Sequence, residues 1–252
     1  MIEKKNVAAI ILAAGKGTRM NSTTENKVTL PFHGKPIIQY AVEVVETVAD
    51  QVVVVVGAMA ESVQQALKGT PVIFAHQVEQ LGTGHALQVG VKELTDRKPA
   101  YILVGYGDHM MFYRSERLQE LVNLHEKENA SISLLTATYD DPNSLAWARV
   151  LRNEQNEVVG LVEQKDATEA QRSITEVNPG LYCMSYDFLQ QHLPMLTKSP
   201  VTNEYYLTEL LEIAAKDHLK IAALTVPFQE VGIGINRPEE LEKSQELFTK
   251  RA

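Results

Sequence analysis

Short apolar runs alternate with amphipathic segments through the first half of the chain. A continuous apolar run such as the five valines at 52–56 predicts a strand buried on both faces. Apolar positions three and four residues apart predict a helix, as at 36–48, where Pro36 can occupy the first turn. The pattern predicts strands at 7–12, 52–56, 72–75, 101–105 and 131–138, and helices at 36–48, 60–68, 84–94 and 116–128.

This alternation predicts an α/β fold with a Rossmann-like, doubly wound and mainly parallel sheet. Ligands of such sheets bind beyond the carboxyl ends of the strands. The second half predicts a small antiparallel subdomain, beginning with a hairpin whose strands 148–151 and 158–163 flank a polar turn. Its further elements are a strand at 177–184, a helix at 206–217, a strand at 221–226 and a helix at 238–250. We see no linker or repeat, so we expect one domain over 1–252.

Composition narrows the class of partner. The formal net charge of −8 argues against a nucleic-acid partner and requires any anion site to be locally basic. The single cysteine, Cys183, excludes an internal disulfide and is expected to be a buried strand residue. The N-terminus does not read as a signal peptide, and no apolar run approaches the roughly 20 residues of a membrane span. We therefore expect a cytoplasmic protein; its oligomeric state stays open.

The most informative segment is I-L-A-A-G-K-G-T-R-M at 11–20, where an apolar strand runs into a loop with two glycines and two cations. Glycine lets backbone N–H groups approach a polyphosphate, and Lys16 and Arg19 can neutralise its charge. The loop lacks the G-x-x-x-x-G-K-[ST] pattern, and Met20 stands where a dinucleotide fingerprint needs its third glycine. A nucleoside triphosphate is therefore the expected ligand, and an NAD-dependent dehydrogenase is disfavoured.

Five further segments follow in order: E-Q-L-G-T-G-H-A at 79–86, Y-G-D at 106–108, V-E-Q-K-D-A-T at 162–168, E-V-N-P-G at 176–180 and N-E-Y-Y-L-T at 203–208. With the L-A-A-G-x-G-T-R-M loop, they make residues 7–241 resemble the sugar-phosphate nucleotidylyltransferases. Within that family the chain resembles the uridylyltransferase half of bacterial bifunctional N-acetylglucosamine-1-phosphate uridylyltransferases. The hexapeptide-repeat acetyltransferase half of those enzymes has no counterpart before Ala252.

The resemblance implies a Mg²⁺-dependent transfer of uridylyl from UTP to N-acetyl-α-D-glucosamine 1-phosphate, giving pyrophosphate and UDP-N-acetylglucosamine, a cell-wall precursor. It assigns catalysis to Arg19 and Lys27, and Mg²⁺ binding to Asp108 and Asn236. The implied nucleotide-binding residues are Leu12, Ala13, Ala14, Gly15, Lys16, Gly17, Gln77, Gln80, Gly82 and Thr83. The implied sugar-binding residues are Tyr106, Ala148, Glu163 and Asn178. His85 receives no role.

The chain departs from the family pattern at several of these positions. Asn26 replaces the usual proline before Lys27, and Arg237 replaces a second asparagine after Asn236. On the sugar side, Trp147-Ala148-Arg149 replaces tyrosine–glycine–arginine. Asn178-Pro179-Gly180 replaces asparagine–threonine–glycine, and His109-Met110 replaces valine–proline. The three sugar-side changes bear on the identity of the sugar more than on the type of reaction.

Besides the disfavoured dehydrogenase, two alternatives remain for the function. The same chemistry could serve another sugar 1-phosphate or another nucleotide. A nucleotide-sugar sensor could retain the fold without catalysis, although a sensor has little need of a metal ligand such as Asp108. Each active-site residue also has a structural alternative: Asp108 could cap a turn, Asn236 could cap the last helix, and Lys27 or Glu163 could be ordinary surface charges.

Overall fold

The computed structural model describes residues 6–17, 20, 25–94 and 98–251. Its strands are β1 (Val7–Ala13), β2 (Pro31–Phe32), β3 (Lys35–Pro36), β4 (Gln51–Val56), β5 (Ile73–His76), β6 (Tyr101–Tyr106), β7 (Ile132–Thr138), β8 (Ala148–Arg152), β9 (Val158–Val162), β10 (Glu176–Asn178), β11 (Leu181–Ser185) and β12 (Ile221–Val226). Its α-helices are α1 (Ile37–Glu46), α2 (Ala60–Ala66), α3 (Thr83–Val91), α4 (Ser115–Lys127), α5 (Glu169–Arg172), α6 (Tyr186–His192), α7 (Glu209–Lys216) and α8 (Pro238–Arg251).

One mixed sheet organises the described residues. Its strand order is β5-β4-β1-β6-β11-β7-β10-β8-β9, and β12 pairs with β7. Strands β5, β4, β1 and β6 are mutually parallel, whereas the ladders from β6–β11 through β8–β9 are antiparallel. The predicted Rossmann-like α/β class is confirmed. The antiparallel strands, predicted as a small subdomain, extend the same sheet through β11.

Helices cover both faces of the sheet, and β1 shows why. Its odd-numbered residues Val7 to Ala13 belong to one apolar cluster, and its even-numbered residues Ala8 to Leu12 belong to the other. Helices α1, α2 and α4 pack on the first face, while α3, α6 and α7 pack on the second. A strand with apolar neighbours on both sides needs no polar face, which explains the unbroken apolar runs.

The predicted strand 177–184 is wrong as a single element. It breaks at Pro179-Gly180 into β10 and β11, because proline offers no N–H to a ladder and Gly180 takes a φ of +84°. Before the break the chain pairs with β8, and after it with β6, while both parts pair with β7. The break therefore opens the sheet between the ends of β6 and β8.

Two further boundaries differ from the prediction. The helix expected at 206–217 begins only at Glu209, because the Tyr205 backbone is extended and hydrogen-bonds Leu81 and Gly84. Helix α6 was not predicted, since it follows β11 without a turn signal; Ser185 caps it by accepting from the Phe188 N–H.

Cys183 is buried in β11, as predicted, and burial raises the pKa of its thiol. No helix in the described residues is long and apolar enough to cross a membrane.

Candidate active site

A cleft of about 870 Å³ lies beyond the carboxyl ends of the parallel strands and continues into the opening between β6 and β8. Parallel strands end at one edge of a sheet, so the loops after them meet there. Every predicted site residue within the described ranges lines this cleft: Leu12, Ala13, Ala14, Gly15, Lys16, Gly17, Lys27, Gln77, Gln80, Gly82, Thr83, Tyr106, Asp108, Ala148, Glu163, Asn178 and Asn236. Arg19 lies outside the described residues.

The Gly-rich loop leaves β1 at Ala13 and borders the cleft from Ala14 to Gly17. Gly17 has a φ of +60°, and a Cβ there would lie 3.5 Å from the stem of Lys27. The loop and Lys27 therefore share one wall of the cleft. Because Lys16 and Lys27 both border that wall, they make it locally basic in an otherwise acidic protein.

Lys27 joins the two predicted metal ligands. Its ammonium forms a salt bridge with the Asp108 carboxylate and donates a 3.0 Å hydrogen bond to Asn236 Oδ1. One cation therefore reaches both oxygens. A carboxylate and an amide oxygen are hard ligands of the kind that Mg²⁺ binds. In the described part of the chain, no three acidic, histidine or cysteine side chains form a metal cluster, so phosphate oxygens would have to complete the coordination.

Hydrogen bonds to backbone groups fix the positions of Asp108 and Asn236. The Ile235 N–H donates to the Asp108 carbonyl at 3.0 Å. Glu240 in the first turn of α8 accepts from the N–H groups of Asn236 (2.6 Å) and Arg237 (3.0 Å). The Asn236 side-chain oxygen thus accepts from Lys27, while a different residue satisfies the backbone donors at the start of the helix.

His109 packs against the segment that precedes Asn236. Its buried ring bonds the Val231 carbonyl through Nε2 at 3.0 Å and lies 4.6 Å from the Trp147 ring. A Cβ at Gly234 would approach the His109 ring to 3.1 Å. Burial lowers the pKa of His109 to about 4. His109 is therefore neutral at pH 7 and leaves the charge beside Asp108 to Lys27.

The loop after β5 presents two glutamine side chains with fixed orientation. The Gln77 amide nitrogen donates to the Gly82 carbonyl (3.0 Å) and to His85 Nδ1 (3.1 Å). The Gln80 amide nitrogen donates to the carbonyls of Gln77 (3.0 Å) and Val78 (3.3 Å). A glutamine side chain in itself offers both donors and an acceptor. Their hydrogens are already used, so only their carbonyl oxygens remain for a ligand.

The backbone conformation and the lack of space at position 82 require glycine. It has a φ of +108°, and a Cβ there would lie 2.4 Å from the Tyr205 carbonyl oxygen. This close approach joins the loop after β5 to the extended segment before α7. Thr83 strengthens the junction by accepting a 3.0 Å hydrogen bond from the Leu207 N–H.

The opening between β6 and β8 forms the other end of the cleft. Tyr106 ends β6 there, and its ring occupies the space where a Gly180 Cβ would lie, at 2.1 Å. Ala148 begins β8 and pairs with Asn178 of β10. The break at Gly180 thus brings Tyr106, Ala148 and Asn178 to one place, although they come from three strands.

Asn178 is buried with a defined amide orientation. Its Nδ2 donates to the Leu135 carbonyl at 2.9 Å, and its Oδ1 accepts from the Tyr182 hydroxyl. One amide hydrogen of Asn178 therefore remains for a ligand in the cleft. Asn178 offers a donor, in contrast to the two glutamines.

Glu163 faces the same end as an acceptor. The Thr208 hydroxyl donates to its Oε1 at 3.0 Å. Desolvation in this enclosed part of the cleft raises the pKa of the Glu163 carboxyl, and Asp166 and Glu204 act in the same direction. Burial likewise raises the pKa of Tyr106, so its phenol keeps its proton.

Several cleft residues had no predicted role. Thr208 and Glu204 lie in the N-E-Y-Y-L-T segment, so the motif was the available signal for them. His85, which has no predicted role, lies behind the cleft and accepts from the Gln77 amide through Nδ1. Asn26 lines the cleft, and the sequence shows it only as a departure from the family pattern before Lys27.

An α/β sheet with a glycine-rich loop, lysine side chains and a carboxylate–amide pair at its carboxyl edge is typical of a nucleotide-binding protein. Residues 9–176 match the model of the MobA-like NTP transferase domain, which is well over half of the chain. The chain belongs to this family.

Similar curated proteins include three named bifunctional protein GlmU. That of Thermoanaerobacter pseudethanolicus is 38% identical over 98% of this chain and 52% of its own length. That of Exiguobacterium sp. is 38% identical over 96% and 53%, and that of Pelobacter propionicus is 36% identical over 98% and 53%. The chain spans about half the length of these relatives.

Proposed function

We propose that this protein transfers the uridylyl group of UTP to N-acetyl-α-D-glucosamine 1-phosphate, forming UDP-N-acetylglucosamine and pyrophosphate. The contact of Lys27 with both Asp108 and Asn236, beside the Gly-rich loop, is the observation that carries this proposal. This contact connects the wall of the cleft that would bind phosphate with Asp108 and Asn236, which would bind the cation. It lies between the nucleotide end and the sugar end of the cleft. The similarity to proteins named GlmU supports the choice of substrates.

The reaction needs positioning and charge more than acid–base chemistry. A phosphate oxygen of the sugar 1-phosphate attacks the α-phosphorus of UTP, and the bond from that phosphorus to the pyrophosphate oxygen breaks. The nucleophile is already ionised, so no general base is required. Lys27 and Lys16 would neutralise phosphate oxygens in the transition state, and we assign Arg19 the same task by its place in the loop.

Asp108 and Asn236 would hold Mg²⁺, with phosphate oxygens as its remaining ligands. The ion would screen the negative charge that develops on the transferred and leaving phosphates. The Lys27 ammonium contacts the same carboxylate and the same amide oxygen, so it would compete with the ion for them. Pairing with a phosphate oxygen would release Lys27 from Asp108 and Asn236, which would couple metal binding to nucleotide binding.

The glutamine pair would read the base. The carbonyl oxygen of Gln77 can accept from the N3–H of uracil, and the Gly82 N–H can donate to a uracil carbonyl. Cytosine carries a lone pair at N3, which would face the Gln77 oxygen without a hydrogen between them. Purines would be rejected mainly by size.

The opening between β6 and β8 would bind the sugar. The free amide hydrogen of Asn178 suits the carbonyl oxygen of an N-acetyl group, and Glu163 can accept from sugar hydroxyls. The Ala148 N–H and the Tyr106 ring complete the proposed contacts. This division gives each half of the substrate pair its own end of the cleft.

A pyrophosphate-release assay across a matrix of four nucleoside triphosphates and several sugar 1-phosphates tests the proposal. The expected maximum is UTP with N-acetylglucosamine 1-phosphate, and it should vanish in excess chelator. A maximum with glucose or galactose 1-phosphate, or with another nucleotide, would replace the substrates and keep the reaction. Release with no pair, together with tight binding of UDP-N-acetylglucosamine, would favour a sensor.

A further inference from the structure

Asn26 precedes Lys27 and is almost completely buried, with 1% of its surface exposed. Its Nδ2 donates to three backbone carbonyls: Ala58 at 2.9 Å, Gly15 at 3.1 Å and Ala13 at 3.2 Å. Because the amide has two hydrogens, at least one of them is shared. This single side chain therefore ties together the end of β1, the Gly-rich loop and the segment after β4.

The other groups of Asn26 hold the turn that carries Lys27. Its Oδ1 accepts from the Val28 N–H at 3.2 Å and thereby caps the short helix Lys27–Thr29. Its backbone N–H donates to Ser62 Oγ at 3.0 Å. Asn26 thus fixes both the Gly-rich loop and the turn that carries Lys27.

The direction of these bonds matters for anion binding. In a planar trans peptide, the carbonyl of one residue and the N–H of the next point to opposite sides. With the Gly15 carbonyl turned toward Asn26, the Lys16 N–H points away from it; the same geometry turns the Ala14 N–H away from the Ala13 bond. A phosphate loop needs N–H groups facing the anion and carbonyl oxygens facing away.

We propose that Asn26 is a positioning residue for the triphosphate: it turns the peptide planes of the Gly-rich loop so that their N–H groups face the phosphates. This inference rests on the proposed function for the identity of the ligand, but its geometry requires only a polyphosphate. Without Asn26 the loop could rotate a carbonyl into the cleft and repel the anion.

The test compares Asn26→Ala and Asn26→Pro with the parent protein. Alanine removes the side-chain bonds alone, whereas proline suits the Asn26 φ of −69° but removes the side-chain bonds and also the backbone N–H that donates to Ser62. Calorimetry with inorganic tripolyphosphate should give an affinity at least tenfold weaker in both variants. In steady-state assays the KM for UTP should rise about tenfold, while the KM for the sugar 1-phosphate stays within twofold.

A matched control separates positioning from stability. Ser133→Ala removes the buried hydroxyl that bonds His125, on strand β7 and outside the cleft. It should lower the melting temperature without changing tripolyphosphate affinity. Asn26 variants that are folded and bind tripolyphosphate within twofold of the parent would overturn the proposal.

Should neither Asn26 variant fold, the parent protein decides the matter. In ¹H–¹⁵N spectra the Lys16 amide should shift on addition of tripolyphosphate, and an unmoved Lys16 amide would contradict the proposed peptide orientation. Tripolyphosphate carries neither uracil nor sugar, so an absence of uridylyl transfer would refute the proposed function without touching this result.

Discussion

The parallel and antiparallel parts of the sheet form the two ends of the cleft by different means. At the parallel end, strands β1 and β4 are almost wholly apolar, and the polar groups lie on loops after the strands. At the antiparallel end, β10 itself carries Asn178 in the lining of the cleft, and the neighbouring β7 buries Ser133 and Thr136 outside the cleft. Loops can present many backbone donors to a phosphate, whereas strand side chains give few but directed contacts, as a sugar requires.

Asp108 lies between the two ends, so its loss should have the largest effect. Asp108→Asn should lower turnover by about a thousandfold or more, because a neutral ligand holds Mg²⁺ and Lys27 more weakly. Turnover and far-ultraviolet circular dichroism would be measured together, with Asp217→Asn as a distant control. Near-normal turnover, or full activity of the parent in excess chelator, would remove the metal from the mechanism.

Lys27→Met should cost about 3–4 kcal/mol of transition-state stabilisation, a loss of several hundredfold in kcat/KM. Mn²⁺ binding measured by electron paramagnetic resonance without nucleotide should become tighter, because no ammonium then competes for Asp108 and Asn236. Lys35→Met, which removes a surface partner of Glu43, is the control. A kcat/KM within threefold of the parent would make Lys27 a bystander.

The polar core of the antiparallel part predicts a pH-dependent stability. Burial lowers the pKa of His125 to about 4 from an ordinary 6.5, so the unfolded chain takes up a proton that the folded protein refuses. Above pH 6.5 His125 is neutral in both states and does not change the free energy of unfolding. As the pH drops toward 4, protonation of His125 in the unfolded chain lowers the free energy of unfolding by about 3 kcal/mol in total.

Urea unfolding of the parent and of His125→Phe between pH 7.5 and 4.5 measures this contribution. Phenylalanine retains an aromatic ring beside Tyr101 but cannot titrate. The free energy of unfolding should fall less steeply in the variant below pH 6.5. Parallel curves for the two proteins would show that His125 takes up its proton equally in the folded and unfolded states.

The parallel end should control the choice of base. The parent is expected to prefer UTP over CTP by about tenfold or more, since mispairing one buried polar group costs roughly 1–3 kcal/mol. Gln77→Ala should reduce this preference to about threefold or less and leave the KM for the sugar 1-phosphate unchanged. Gln64→Ala, a glutamine outside the cleft, should keep the parent preference. Equal rates of the parent with both nucleotides would defeat the assignment.

The smallest expected effect belongs to the antiparallel end. Ala148 lines the opening next to Trp147. Replacing its methyl group with hydrogen leaves more room there, so Ala148→Gly should lower the KM for the sugar 1-phosphate about twofold to fivefold. The KM for UTP should not change. A weaker interaction with the sugar would mean that this end is built around the alanine, and a changed KM for UTP would contradict the independence of the two ends.

Local patterns predicted the parallel part of the fold because its strands follow directly from apolar runs. Because ligands of such sheets bind beyond the carboxyl ends of the parallel strands, the Gly-rich loop after β1 and Asp108 after β6 are expected at the same edge. The broken strand at Pro179-Gly180 was predicted as continuous, since its apolar pattern passes through the break. The interruption lies where the side of this segment that faces away from β7 changes its partner from β8 to β6, which is a tertiary contact.

The sequence by itself determined the fold class through its apolar runs and, through its resemblance to a family, many of the residues that border the cleft, because both signals are local properties of the chain. The tertiary structure decided how those residues are oriented. In the folded protein the amide hydrogens of Gln77 and Gln80 are bonded to acceptors within the protein. The Lys27 ammonium contacts both Asp108 and Asn236, and the Asn26 side chain donates to a carbonyl of the Gly-rich loop. Each of these contacts joins groups from separate segments of the chain, and only packing brings them within hydrogen-bond distance.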